Sequence, residues 1–337
     1  MNIADIKKIK VLLADPKNIV VVAHKNPDGD AIGSSLGLYH YLLKHNHNVH
    51  VIMPNDFPDF LKWMPGCDDI VIYETQTDQC NTIIEQSDII FTLDFNDLSR
   101  ISNMQPGIEQ SAAIKIMIDH HQQPANYPDF MYSDVAMCST SEMIYHFMDK
   151  LNDLDQLDNN IGTCLYTGIM TDTGSFRFQS TTSTTHRVIA DLIDHGVENW
   201  KIHNNVYDAN SYDKLQLLGQ ALKNMKVLPE FNTAYITLSQ DELNAHNFKK
   251  GDTEGVVNYA LSLQGVVLAA IFIENKQEQI IKISLRSKGT FSVNQLSRAY
   301  FNGGGHINAA GGRSHESLEK TVEKFISILP QYKQDLS

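Results

Sequence analysis

The sequence predicts an α/β protein of two domains, the first built on a mostly parallel sheet with flanking helices and the second a smaller α/β unit. Three observations predict it. A chain of 337 residues exceeds the usual size of one domain. Short β-branched runs alternate with helical patterns through the first half. A polar, poorly periodic stretch at 200–212 then separates them from a second set of strands and helices. The expected boundaries are 1–200 for the first domain, 201–215 for a linker and 216–337 for the second domain.

The elements follow in order. NIVVVA (18–23) is short, β-branched and bounded by turn formers, the pattern of a strand buried on both faces. After the loop KNPDGDA, the stretch IGSSLGLYHYLLKH (32–45) carries Ile32, Leu36, Tyr39 and Leu43 near helical spacing, and NVHVIMP (48–54) returns to a strand. Further strands are read in DIVIY (69–73), DIIFTLDF (88–95) and AIKIMIDHH (113–121). Helices then dominate: SEMIYHFMDKL from Ser141 with a capping box from Thr140, IGTCLYTGIM from Ile161 ahead of the polar loop TDTGSF, and a third near Thr184. In the second domain TAYITL, VVLAAIFIE and IIKISLR read as strands, and GVVNYALSL and SVNQLSRAYF as helices. The cluster GGGH is expected just before an alanine-rich start of the last helix.

Forty acidic residues against 27 basic ones give a formal charge of −13, which repels long polyanions and argues against a long duplex nucleic acid as ligand. No run approaches the roughly 18 apolar residues of a membrane span, and the first residues alternate charge with apolar groups, so a cytoplasmic protein without a membrane partner is expected. Cys67, Cys80, Cys138 and Cys164 are far apart and form no CxxC pair, and are expected as reduced thiols.

The chemistry is carried by groups that follow separate strands: His24, Asp28 and Asp30 after the first, Asp94 after another, and Asp119, His120 and His121 after a third. Parallel sheets gather ligands beyond the carboxyl ends of their strands, so these residues are expected at one rim, with Asp172 joining from the loop after a helix. Four or more carboxylates at close range raise one another's pKa and destabilise the fold unless cations compensate. Mixed imidazole and carboxylate ligands suit Mn, Fe, Co or Zn better than Ca, and paired divalent ions are a recurring device for phosphoryl transfer. Each residue alone has a bland alternative: Asp28 or Asp30 as a helix cap, NPDGD as an ordinary turn, Asp94 and Asp172 as surface carboxylates. His45, His47, His50 and His203 are expected as solvated surface groups, and Trp63, Trp200 and Tyr259 as packing residues.

Five stretches in order, HKNPDGDAIGSS (24–35), TLDFND (92–97), IDHH (118–121), GIMTDTGSF (168–176) and GGGHINAAGG (303–312), resemble the DHH/DHHA1 phosphoesterases, in particular the nano-RNase (oligoribonuclease) and 3′-phosphoadenosine-5′-phosphate (pAp) phosphatase branch. The resemblance implies two divalent cations, Mn²⁺ favoured over Mg²⁺. His24 and Asp28 would bind one, Asp30, His120 and Asp172 the other, and Asp94 both. It makes His121 the catalytic imidazole and Asp119 its orienting partner, and makes Gly303, Gly304, Gly305, His306 and Arg286 a substrate-holding group. Gly33 and Ser34 are expected to open the helix after the first motif, near an anion. Many relatives carry a fourth glycine where this chain has Asn302, a residue that tolerates left-handed backbone. The expected substrates are short single-stranded oligoribonucleotides or pAp, held in a cleft between closing domains. A cyclic- or linear-dinucleotide phosphodiesterase is the nearest alternative and a catalytically silent nucleotide sensor the non-enzyme reading; monomer and homodimer are both left open.

Overall fold

In the computed structural model, which describes residues 1–336, the chain separates into two units, Met1–Ala209 and Asn210–Ser337. The first unit runs α1 (Ile3–Leu12), β1 (Asn18–Ala23), α2 (Gly29–Lys44), β2 (Asn48–Met53), β3 (Val71–Ile72), α3 (Thr77–Glu85), β4 (Ile89–Leu93), α4 (Gln105–Gln110), β5 (Ile114–Asp119), β6 (Phe130–Ser133), α5 (Thr140–Leu151), α6 (Asn159–Asp172), α7 (Ser183–Asp194) and α8 (Asn199–Tyr207). Its six strands form a wholly parallel sheet in the order β3-β2-β1-β4-β5-β6. Val20 and Val22 pack into one core and Ile19, Val21 and Ala23 into another, which explains why the run shows no polar alternation.

Helices α2 and α6 cross at close range beside this sheet. A Cβ on Gly33 would lie 2.6 Å from the Cys164 carbonyl oxygen and 2.9 Å from the Gly168 nitrogen, so only glycine admits that approach. Gly33 and Ser34 therefore do not open the helix as expected: α2 begins at Gly29, and Ser34 Oγ donates to the Asp30 carbonyl. The packing brings the first turn of α2 and the last turn of α6 together, which places Asp30 near Asp172. Asp172 is the last residue of α6, not part of a following loop.

The second unit runs α9 (Tyr212–Asn224), β7 (Lys226–Leu228), β8 (Thr233–Leu238), α10 (Gln240–Ala245), α11 (Val256–Leu261), β9 (Leu268–Asn275), β10 (Ile280–Ser287), α12 (Val293–Tyr300), β11 (Gly304–Gly305), β12 (Ala309–Ser314) and α13 (Leu318–Ile328). Its sheet has the order β11-β12-β10-β9-β8-β7, with β8 and β9 parallel and the other pairs antiparallel. Residues 309–314 are thus a strand, where a helix start was expected: Ala310 fills the core through pairing with Leu285, and the last helix begins only at Leu318.

Other expectations also give way. Helices α8 and α9 occupy most of the segment 201–215, within which the division between the two units falls. His47 is buried and its Nδ1 accepts the Lys17 N–H at 3.1 Å, and His203 packs beside Tyr166 and Phe176 instead of facing solvent. Trp200 and Tyr259 are 57% and 49% exposed and so are not packing residues. The four cysteines are free and buried. No helix among the described residues is long and apolar enough to cross a membrane.

Candidate metal centre

The central strands β1 and β4 are neighbours from which the chain order runs outward in opposite directions, and open parallel sheets gather ligands beyond the carboxyl ends of such a pair. The next residue along each strand is His24 and Asp94, 6% and 2% exposed. Asp94 takes a φ of +62°. A non-glycine residue held in the left-handed region at a strand end is the kind of strain that functional sites store.

Asp28 caps α2: its Oδ1 accepts the N–H groups of Asp30 and Ala31 at 3.0 and 3.1 Å, while Oδ2 lies 3.9 Å from His24 Nε2. Capping thus occupies one oxygen of the carboxylate and leaves the other facing His24. Asp30 does not cap its own helix. Its two oxygens accept the N–H groups of Thr140 at 2.6 Å and Ser141 at 2.9 Å, at the start of α5, where the helix dipole favours a negative charge.

His120 Nε2 stands 3.8 Å from Asp30 Oδ2, 3.5 Å from Asp94 Oδ1 and 3.5 Å from Asp172 Oδ2, and His24 Nε2 stands 3.4 Å from Asp94 Oδ2. These separations are too long for good hydrogen bonds. Those from Asp94 and Asp172, at 3.4–3.5 Å, match donor atoms sharing an ion at about 2.0–2.2 Å, which sit about 3.0–3.5 Å from one another, and the 3.8 Å to Asp30 is a little longer. The tautomers agree. His24 Nδ1 lies 2.9 Å from the Lys25 carbonyl and His120 Nδ1 lies 3.2 Å from the Met137 carbonyl, so each Nδ1 carries a hydrogen and Nε2 is the nitrogen left for a cation or a proton.

Two triads result, His24–Asp28–Asp94 and Asp30–His120–Asp172, with the ligand atoms of each within 4.8 Å of one another. Asp94 presents Oδ2 to the first and Oδ1 to the imidazole of the second. This donor set of imidazole nitrogens and carboxylate oxygens fits divalent cations of the Mn, Fe, Co or Zn type. Beside them, His121 Nδ1 lies 2.7 Å from Asp119 Oδ1 and 3.7 Å from Asp94 Oδ1.

The electrostatics ask for positive charge. Burial, with the Asp94 and Asp172 charges added, pushes the Asp30 carboxyl well above the usual carboxylate range. Burial also raises Asp172 to about 6, against the pull of His120. Burial opposes the charge on Asp94 too, but His120 and His24, with His121, hold that carboxyl well below its ordinary value. His120 is raised well above the usual imidazole range: burial works against it, and Asp94, Asp172 and Asp30 outweigh burial. Without cations, protons are drawn into the basin to offset its carboxylates.

Sequence reasoning missed the frame behind these candidate ligands. The N-cap of α5 is Ser139, not Thr140: Ser139 Oγ accepts the Glu142 N–H at 3.0 Å. Thr140 is freed to donate its hydroxyl to Asp94 Oδ1 at 3.0 Å. Glu142, 1% exposed, accepts from Cys138 Sγ at 2.7 Å and Thr185 Oγ1 at 3.0 Å, and so ties this turn to α7. The signal was the Ser-x-x-Glu spacing from Ser139 to Glu142, which marks a helix start.

In the second unit Gly303 lies so close to the Gly311 carbonyl and Ser297 Oγ that a Cβ would overlap both, and Gly305 has a φ of +147°. Gly304 and Gly305 pair with Gly311 and Ala310. Arg286 pairs with Ala309, whose carbonyl accepts the His306 N–H at 2.7 Å, so both expected substrate-holding side chains border the same backbone position. Asn302 adopts a φ of +48°, the left-handed conformation expected of it.

Comparison with known proteins gives a consistent answer. The DHH family N-terminal domain matches residues 18–169 and the DHHA1 domain matches residues 232–335. A bifunctional oligoribonuclease and PAP phosphatase of Thermus thermophilus is 30% identical over 303 residues, covering 90% of this chain and 86% of that protein. A protein of the same description from Bacillus subtilis is 26% identical over 87% of this chain and 88% of its own length. A cyclic-di-AMP phosphodiesterase of Listeria monocytogenes is 26% identical over 96% of this chain but only 49% of its own length. Among solved structures, an exopolyphosphatase-related protein from Bacteroides fragilis aligns with a TM-score of 0.94 and 40% identity over 99% of this chain and 97% of that one. The chain belongs to the DHH family of metal-dependent phosphoesterases, in the form that carries a C-terminal DHHA1 domain.

Proposed function

We propose that the protein hydrolyses short oligoribonucleotides and 3′-phosphoadenosine-5′-phosphate with two divalent cations, Mn²⁺ in preference to Mg²⁺. The observation that carries this reading is that Asp94 completes one triad with His24 and Asp28 and turns its other oxygen to His120 of the second, Asp30–His120–Asp172. His24 and Asp28 would hold one cation, Asp30, His120 and Asp172 the other, and Asp94 both. Bound there, the pair supplies an activated water and neutralises charge on the phosphoryl oxygens.

The chain's own groups do the rest. Asp119 fixes the ring of His121 through Nδ1, leaving Nε2 as the nitrogen that hands a proton to the leaving oxygen. Thr140 and Ser141 keep Asp94 and Asp30 aimed at the basin. The backbone of Gly303, Gly304 and Gly305, with His306 and Arg286, holds the nucleotide's phosphate. The choice of substrate is supported by relatives described as oligoribonucleases and PAP phosphatases.

The test is product release from pApA, pAp, cyclic di-AMP and pyrophosphate in parallel with Mn²⁺. Turnover of pApA or pAp well above the others is expected. Preference for cyclic di-AMP or pyrophosphate would overturn the substrate assignment while leaving the metal centre intact. No turnover of any would point to a sensor.

A further inference from the structure

The side chain of Asn294 in the second unit is 3% exposed, and its Oδ1 is a meeting point. It accepts the Gly305 N–H at 3.1 Å and the Arg298 Nε–H at 3.2 Å. One buried amide therefore fixes both the glycine turn and the stem of an arginine guanidinium. A Cβ on Gly304 would lie 3.7 Å from Arg298 Nε and 3.8 Å from Arg298 Nη2, so the guanidinium stands over the face of the turn that bears no side chain.

Arg298 itself is exposed and, among the described residues, no carboxylate lies within 4.0 Å of it, in a chain with 40 acidic and 27 basic residues. An arginine kept solely for solubility needs no buried acceptor to orient it. Burying the Asn294 amide is costly unless its hydrogen bonds are made, and here its oxygen is used to hold a cation beside the glycine turn. A fork of donors beside a glycine turn is suited to the planar oxygens of a phosphate.

We propose that Arg298, aimed by Asn294, is a further phosphate-contacting residue of the second unit, and that it selects ligands bearing a terminal phosphomonoester over those ending in a hydroxyl. This deepens the proposed function and rests on its placement of the nucleotide at the glycine turn. Arg298 contacts the ligand, and Asn294 is a positioning residue that acts through Arg298 and Gly305.

The experiment is calorimetric titration of the full Mn²⁺-loaded chain with AMP and with adenosine, neither of which offers a bond to hydrolyse in the proposed reaction. AMP is expected to bind the wild type more tightly than adenosine. Arg298→Gln should weaken AMP binding about tenfold, equivalent to about 1.4 kcal/mol, and leave adenosine unchanged. Asn294→Ala should weaken AMP binding in the same direction, and Asn294→Asp, which keeps the acceptor oxygen, should restore most of it. Rescue by Asp separates positioning from general loss of structure. Equal AMP affinity in the wild type and Arg298→Gln, or no preference for AMP over adenosine in the wild type, would overturn the proposal. Failure of pApA and pAp turnover alongside an intact AMP preference would instead defeat the hydrolytic reading and spare this one.

Discussion

Four of the six candidate metal ligands, His24, Asp30, Asp94 and His120, are 6% exposed or less, whereas Gly303, Gly304, Gly305 and His306 of the second unit are only half-buried. The first site concentrates like charges in a region of low dielectric, and its fold is strained until cations arrive. The second offers Arg286, Arg298 and His306 near solvent around a turn whose Gly303, Gly305 and His306 N–H groups are already bonded within the protein, so an empty site costs little. The difference separates two kinds of dependence: loss of the first site's ligand should be felt in stability and in catalysis, and loss of the second's contacts only in binding.

The most severe way to break this contrast is at the shared carboxylate. Asp94→Ala should lower kcat by about 10³-fold, equivalent to about 4 kcal/mol, because one side chain serves both triads. Steady-state hydrolysis of pApA checks it.

Cation removal comes next. A cation present at 1,000 times its dissociation constant stabilises by about 4 kcal/mol, and a chelator forfeits that. The pH dependence has a definite sign. Asp172 is raised from 3.8 to about 6, and Asp30, His24 and His120 are raised as well. For groups raised in the folded state, the folded form binds the extra protons. Their contribution is fully present below the unfolded pKa and is lost as pH rises through the folded one. For Asp172 that window runs from about 4 to about 6. The metal-free protein should therefore lose melting temperature between pH 5 and pH 8, and the gap between metal-loaded and metal-free protein should widen over the same range. Melting curves with and without chelator measure it.

A smaller effect is expected from the frame. A Cβ on Gly168 would lie 2.8 Å from Ser141 Cβ and 2.9 Å from Asp30 Oδ1. Gly168→Ala should cost about 1–3 kcal/mol in chemical denaturation through overpacking, and should weaken metal binding about 10- to 100-fold by displacing the N–H groups that hold Asp30. Mildest of all, Arg286→Ala should raise KM about tenfold with kcat nearly unchanged and no loss of melting temperature. A fall in stability there would erase the contrast between the two sites.

The first site was more readable from sequence than the second for a physical reason. Strands such as β1 and β4 announce themselves through uninterrupted apolar runs, and the groups immediately after them must lie at the sheet's rim, so His24 and Asp94 were found without knowing any side-chain orientation. Helix ends were read less well. The sequence suits Thr140 as a cap where Ser139 holds that place, and suits a loop at Asp172 where α6 extends to include it, because near a helix end several polar residues satisfy the same local pattern. Gly33 and Gly168 were beyond reach, since their role depends on which helix lies opposite. The same holds for Arg298. Nothing in SVNQLSRAYF marks it until Asn294 is seen to bond both Arg298 on its own helix and Gly305, 11 residues further along the chain.

The most direct test of the central claim is the number of cations bound per chain, read by equilibrium titration of metal-stripped protein with Mn²⁺ and elemental analysis of the loaded form. Two ions per chain are expected in the wild type, with Asp94→Ala impairing both binding steps. A single ion per chain, or two ions bound with unchanged affinity in Asp94→Ala, would contradict the claim.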